Sequence, residues 1–556
     1  MIAWWGAASL AAEPPADLVL RGGALYTMDA ARSWAEAVAV RDGEIVFVGR
    51  DREVEGFVGP DTKVVPLDGH MVLPAFQDAH IHPIAGGLQA LACDLTGLGS
   101  AERYVEAVRD YARAHPEEPW IVGGGWSMAA FGPGALARRG LLDAVVPDRP
   151  VYLESQDGHS AWVNSRALEI AGITRDTPDP KDGRIDRDPA TGDAIGSLQE
   201  GATALVYAHV PPPTAAQRLE GLRHAVKMLN GYGITAIQDA HAETADLKTY
   251  RELDGDGALS LRVVASLWWR RGRGEEQIPD LIAQRRQFST GNVTAGTVKI
   301  MQDGVMENYT AVLLEPYLGM DTRGIPMVEP QALKGIVTKL DAEGFQVHFH
   351  AIGDGAIRHA LDAIEAARAR NGNLGRRHHI SHLQLIDPAD IPRFRPLGVI
   401  ANFQPVWAFA DDYITELTIP FIGEERSRWL YPIASVQRSG AMVVFGSDWS
   451  VSTANPLHEI EVAVTRMGPL GETAEPFLPG ERIELPVALA AFTINAAYVN
   501  GLERQTGSIE TGKLADLIVL DRNLFEIDAA EISDARVTLT LFAGAPVYGT
   551  LPSARE

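Results

Sequence analysis

Apolar runs of strand length recur eight times across the middle of the chain, at 71–78, 233–239, 259–267, 296–301, 345–350, 378–383, 398–404 and 441–447. Helix-compatible spacers follow most of them, among them 217–230, 330–343, 355–370 and 428–438. Buried strands alternating with helices imply a parallel sheet covered on both faces. Eight such units predict an α/β fold of the (β/α)8 TIM-barrel type, whose functional groups gather at the C-terminal ends of the strands. The stretch 84–232 is too long for one connection. It has its own strands (119–123, 150–154), helices (101–114, 163–171) and a Pro/Gly/Asp-rich stretch at 176–196, so it predicts an inserted α/β segment over the barrel mouth.

Both ends of the chain have a different texture. Residues 17–20 and 37–48, the latter broken by the hairpin signal Asp42-Gly43, read as short strands, as do 515–521 and 537–548. Neither end can build a core alone, and termini tend to lie together, so 1–70 and 505–556 are expected to form one composite β-sandwich. The barrel domain is then 71–504, with 84–232 as its cap. Met1 to Ala12 is apolar and rich in small residues, but has no basic start. It reads as the trimmed end of a secretory signal or as a frayed terminus, so export and a cytoplasmic location both stay open.

Composition limits the partners. Lys+Arg 49 against Asp+Glu 73 leaves a net charge of −24, which repels phosphate backbones and anionic lipid. No apolar run reaches the ~18–20 residues of a membrane-spanning helix. The one cysteine, Cys93, cannot form an intramolecular disulfide or a cysteine-based metal cluster, so any metal rests on histidine, carboxylate or something rarer.

The chemistry-bearing residues fall at strand ends. Asp78-Ala79-His80-Ile81-His82-Pro83 closes the first strand, and residues two apart share a face, so His80 and His82 aim together into the barrel. Two neutral imidazoles so placed suit a zinc-like ion, although such pairs also occur incidentally. His350 ends the fifth strand, where His348 shares its face, and His382 ends the sixth. Asp448 follows the eighth. It either caps the next helix or, beside a cation, stays ionised and takes a proton from water. Lys299 lies mid-strand between apolar neighbours on the fourth strand. It is a buried ion-pair partner, or the strand phase is off by one, or it is an amine that loses its proton and adds carbon dioxide as a carbamate able to bridge two metals. Donors on strands one, four, five, six and eight predict a metal-dependent site.

With these segments in view, DAHIHP at 78–83, VKIMQDG at 298–304, HAIGDGA at 350–356, FGSDWSV with Asn455-Pro456-Leu457 at 445–457, and the tail 507–516, the chain resembles the amidohydrolase superfamily. Within it the chain is similar to amidohydrolase family 3, the branch that includes N-substituted formamide deformylase. The resemblance implies His80, His82, Lys299, His350 and His382 as metal ligands, Lys299 carboxylated, Asp448 as proton shuttle, and one or two Zn2+ ions. It also implies substrate-side roles for Trp126, His159 and Asp303. The expected reaction is hydrolysis of a C–N amide bond in a small N-acyl or N-formyl amine. Deamination, cyclic-amide ring opening and a non-catalytic binding role are the alternatives. The expected partner is a small amide-type molecule, with a homodimer admitted. Three departures, Gln77, Ser381 and the run Val305-Met306-Glu307-Asn308-Tyr309, imply a reshaped pocket.

Overall fold

The computed structural model describes residues 14–133 and 136–551. The segment read as a signal remnant or frayed end lies outside them, apart from its flank. Among the described residues no helix is long and apolar enough to cross a membrane.

Eight parallel strands form the barrel sheet in chain order: Phe76–Ile81, Ile234–Ala242, Arg262–Trp268, Val293–Met301, Gln346–Ala351, His379–His382, Ile400–Phe403 and Val443–Phe445. Most of their residues are buried, because helices such as Ala215–Gly231, Pro330–Ala342 and Asp354–Asn371 cover the outer face. Strands one and eight share no ladder. They are instead stitched at the top, where the Asp448 amide donates to the His80 carbonyl (2.7 Å) and the His82 amide to the Trp449 carbonyl (2.8 Å). Lower down, the Ser447 amide donates to the Asp78 carboxylate (3.1 Å).

This seam requires a glycine. A Cβ on Gly446 would stand 2.4 Å from the His80 nitrogen, so no larger residue fits without moving strand one. Gly446→Ala is expected to destabilise the protein by about 1–3 kcal/mol and to lower its metal content, read by thermal melting and elemental analysis. Unchanged values for both would show that the seam can open at no cost.

The first strand differs from its expected extent. The run 71–78 is two strands in two sheets: Met71–Pro74 pairs antiparallel with Leu517–Leu520 in the terminal sheet, and only Phe76–Ile81 enters the barrel. An uninterrupted apolar run carries no mark of where one buried sheet ends and the next begins, and Pro74 was its only punctuation.

The terminal sheet holds eight strands drawn from both ends of the chain. Leu18–Tyr26 is its pivot: its first half pairs with Lys63–Pro66 and its second with Met71–Pro74, so the sheet folds over itself. Leu18, Leu20, Val38, Val40, Val65, Leu517, Val519 and Leu541 fill the enclosed layer. A buried ion pair between Arg262 and Asp516 ties this sheet to the third barrel strand. The insertion forms a separate six-stranded mixed sheet. The Pro/Gly/Asp-rich stretch at 176–196 contains one strand of it, Gly183–Arg187, and begins another, Ala194–Glu200.

Candidate metal centre

His80 and His82 project from the end of the first strand onto Asp448, which the seam delivers from beyond the eighth. His80 Nε2 lies 3.2 Å and His82 Nε2 3.0 Å from Asp448 Oδ1. That oxygen is buried yet meets no donor in hydrogen-bond geometry. The three donor atoms lie within 4.8 Å of one another. Nitrogen lone pairs and an unsatisfied carboxylate oxygen converging on one point is the arrangement that a divalent cation satisfies and that hydrogen bonds do not. The Asp448 backbone is held at φ 54°, a sparsely populated region for a residue with a side chain, which turns its carboxylate across the seam.

Electrostatics suit the same purpose. Burial alone would raise the Asp448 carboxyl, but His80 and His82 outweigh it and hold it well below the usual carboxylate range. Burial, aided by Lys299, brings His80 down to about 3, leaving a neutral imidazole. Lys299 is fully buried, with Nζ 3.3 Å from His80 Nε2. Burial lowers its ammonium to about 7, against the opposing pull of Asp448 and Asp239. The strand phase therefore places Lys299 inside the barrel beside the donors.

His350 and His382 gather round this group as rings. His382 lies 4.7 Å from the His80 ring and 4.4 Å from the His350 ring between centroids. Each has one nitrogen held by an oxygen: His350 Nε2 is 3.2 Å from the Gly304 carbonyl, and His382 Nδ1 is 2.9 Å from Gln404 Oε1. Such outer contacts orient an imidazole and leave its other nitrogen for a ligand. Burial holds both rings neutral, well below the ordinary histidine value. Of the six expected donors, the structure joins His80, His82 and Asp448 most tightly, with Lys299 next and His350 and His382 at the margin. His348 also points inward, 2.9 Å behind His80 Nδ1 and 2.7 Å from Ser381 Oγ, which is what the departure at Ser381 accommodates.

The expected substrate-side residues divide. His159 reaches the centre from the cap, its ring 5.1 Å from that of His350. Its Nδ1 sits 3.0 and 3.1 Å from the two oxygens of Glu200. Burial would lower His159, but Glu200 outweighs it and lifts the imidazole to about 9. Trp126 does not wall the site. It is fully buried against Phe131 and Trp162, with its indole N–H on the Leu153 carbonyl at 2.9 Å. Asp303 is likewise committed, its carboxylate accepting from the amides of Ile352 (3.0 Å), Gly353 and Val312 (2.9 Å each). It fastens the loop after strand four to the end of strand five.

Three participants escaped the sequence reading. Glu200 closes the buried strand Ala194–Glu200 as Asp448 follows its own, but it lies just past the Pro/Gly/Asp-rich stretch 176–196, where no strand was expected. Gln404 stands just past the seventh strand. His241 stands near the end of the second strand, one residue before Ala242 and beyond its expected limit, with its ring stacked on Trp268 at 3.9 Å. Its spacing from Asp239 repeats that of His80 from Asp78, a signal present in the sequence.

A barrel carrying histidine and aspartate donors at its strand ends, roofed by an insertion and joined to a terminal sheet, is the architecture of metal-dependent hydrolases. The amidohydrolase family profile matches residues 63–548, and the chain belongs to that family. Protein LONG AFTER FAR-RED 3 of Arabidopsis thaliana is 33% identical over 548 residues, 96% of this chain and 92% of its own length. N-substituted formamide deformylase of Arthrobacter pascens is 27% identical, covering 96% and 98%. The crystal structure of an uncharacterised metal-dependent hydrolase from Pyrococcus horikoshii OT3 shares the fold, with a TM-score of 0.72 at 24% identity over 92% of this chain and 99% of that one.

Proposed function

We propose that the protein is a zinc-dependent amidohydrolase cleaving the C–N bond of a small N-acyl or N-formyl amine. The observation that carries this reading is the convergence of His80 Nε2 and His82 Nε2 on an Asp448 oxygen that has no hydrogen-bond donor. These residues, together with Lys299, His350 and His382, would hold a divalent cation, which would lower the pKa of water from ~15.7 towards ~7 and polarise a carbonyl oxygen. Asp448, held ionised, accepts the proton that the attacking water loses and returns it to the nitrogen of the departing amine. His159 Nε2 has no protein partner among the described residues and faces the oxygen of the group under attack. N-substituted formamide deformylase, whose name states the bond it acts on, supports the choice of an N-formyl or N-acyl amine.

The test is elemental analysis of protein purified without chelator, followed by amine release from formanilide, N-butylformamide and acetanilide. One or two equivalents of zinc and release of amine from at least one compound are expected. His80→Ala with His82→Ala should remove both. A chain that neither carries metal nor takes it up on reconstitution would defeat the reading.

A further inference from the structure

The geometry points to Glu200 as a positioning residue that fixes the His159 ring, with Nδ1 held by its carboxylate and Nε2 turned toward the group bound at the centre. This rests on the hydrolytic reading above for the identity of that group, but the arrangement itself is built into the chain.

Both oxygens of Glu200 face His159 Nδ1, at 3.0 and 3.1 Å. The two side chains are almost enclosed, 3% and 11% exposed. A carboxylate accepts and cannot donate, so Nδ1 carries the proton, which fixes the plane of the ring and turns Nε2 the other way. A buried carboxylate also needs a cation or several donors to remain charged. Among the described residues the side chains hydrogen-bonded to Glu200 are His159 and the Thr310 hydroxyl, 2.7 Å from Oε1, with Arg271 acting on it from farther away.

The surroundings are shaped around this carboxylate. Glu200 adopts φ 51°, a region side-chain-bearing residues seldom occupy. A Cβ on Gly304 would lie 2.0 Å from Glu200 Oε1 and 2.0 Å from Thr310 Oγ1, so the barrel loop leaves room for it only by having glycine there. Glu200 belongs to the cap, whereas Gly304 and Thr310 belong to the loop after the fourth barrel strand. That loop is also where the cap docks: Asn308 Nδ2 donates to Gln199 Oε1 (3.1 Å), and Arg184 donates to the Asn308 carbonyl (3.1 Å). The departure at 305–309 thus grips the cap at the point where the cap delivers His159 to the centre.

The test uses the zinc-loaded, full-length protein and methylphosphonate, a tetrahedral anion resembling a hydrated carbonyl, as probe. Glu200→Gln preserves size and the Thr310 contact but replaces one of the two oxygens facing Nδ1 with an amide NH2, which cannot accept. It is expected to keep its zinc and to bind methylphosphonate about 10- to 100-fold more weakly. His159→Gln should show a similar loss, and the double variant no further loss, because one residue acts through the other. Thr310→Val, which disturbs the docking contact and keeps the charge, should lower the melting temperature with little effect on phosphonate binding. The proposal is overturned if Glu200→Gln binds as wild type does, if the two losses add, if Thr310→Val loses as much affinity, or if the wild type shows no saturable binding. Should Glu200→Gln fail to fold, His159→Gln set against Thr310→Val still decides. A wild-type protein that hydrolyses none of the amides yet shows this pattern would defeat the amide reading and leave Glu200 in its role.

Discussion

Asp448→Asn is expected to slow amide hydrolysis by about 10²–10⁴-fold while the protein stays folded and keeps most of its metal. The side chain is isosteric, and its backbone is set independently of the carboxylate, by the amide donating to the His80 carbonyl at 2.7 Å and by the seam around Gly446. An amide oxygen can still approach a cation, but it cannot take the proton of the attacking water or return it to the departing amine. The loss should therefore fall on kcat, with KM nearly constant, because proton transfer is made in the transition state and not in substrate binding. Turnover near wild type in a metal-loaded variant would remove Asp448 from proton transfer. A loss matched by an equal loss of metal would make it a ligand first and a base second.

The barrel was legible because its strands obey a simple rule. Strands buried by helices outside and by the packed barrel interior are mostly apolar, so a polar residue ending one stands out, as His80, His350 and Asp448 do. Lys299 was visible for the same reason, a cation in the middle of an apolar run. Sequence spacing shows which face a residue takes on its own strand, but not what another strand brings opposite. Asp303 illustrates this: it occupies a prominent position in the chain, yet its carboxylate accepts from three backbone amides, one nine residues on in its own loop and two just past strand five. Trp126 fails in the same way, since an aromatic side chain suits a core as well as a pocket wall. Glu200 was hidden by composition, because its strand begins in a Pro/Gly/Asp-rich stretch where no strand was expected.

Lys299→Ala is expected to lower metal content by half or more, with part of it recovered when bicarbonate and a short-chain carboxylic acid are supplied together. The argument begins with burial. An ammonium fully enclosed 3.3 Å from His80 Nε2 would set a positive charge beside the position a cation must take, which is unfavourable for both. Loss of that proton removes the conflict. The neutral nitrogen could then bond to the carbon of carbon dioxide, releasing one proton and becoming a carbamate whose single negative charge is shared by two oxygens. Carboxylation would thereby exchange a repelling group for an attracting one without any change in sequence. Alanine leaves a cavity where the side chain stood, and a small carboxylate entering it restores the missing oxygens. Metal analysis before and after dialysis against bicarbonate with propionate reads this directly. About two equivalents in wild type, falling to one or fewer in Lys299→Ala, would mark the carbamate as the bridge between two ions. Unchanged occupancy in the variant would place Lys299 outside the ligand set and leave His80, His82 and Asp448, with the two marginal histidines, to hold a single ion.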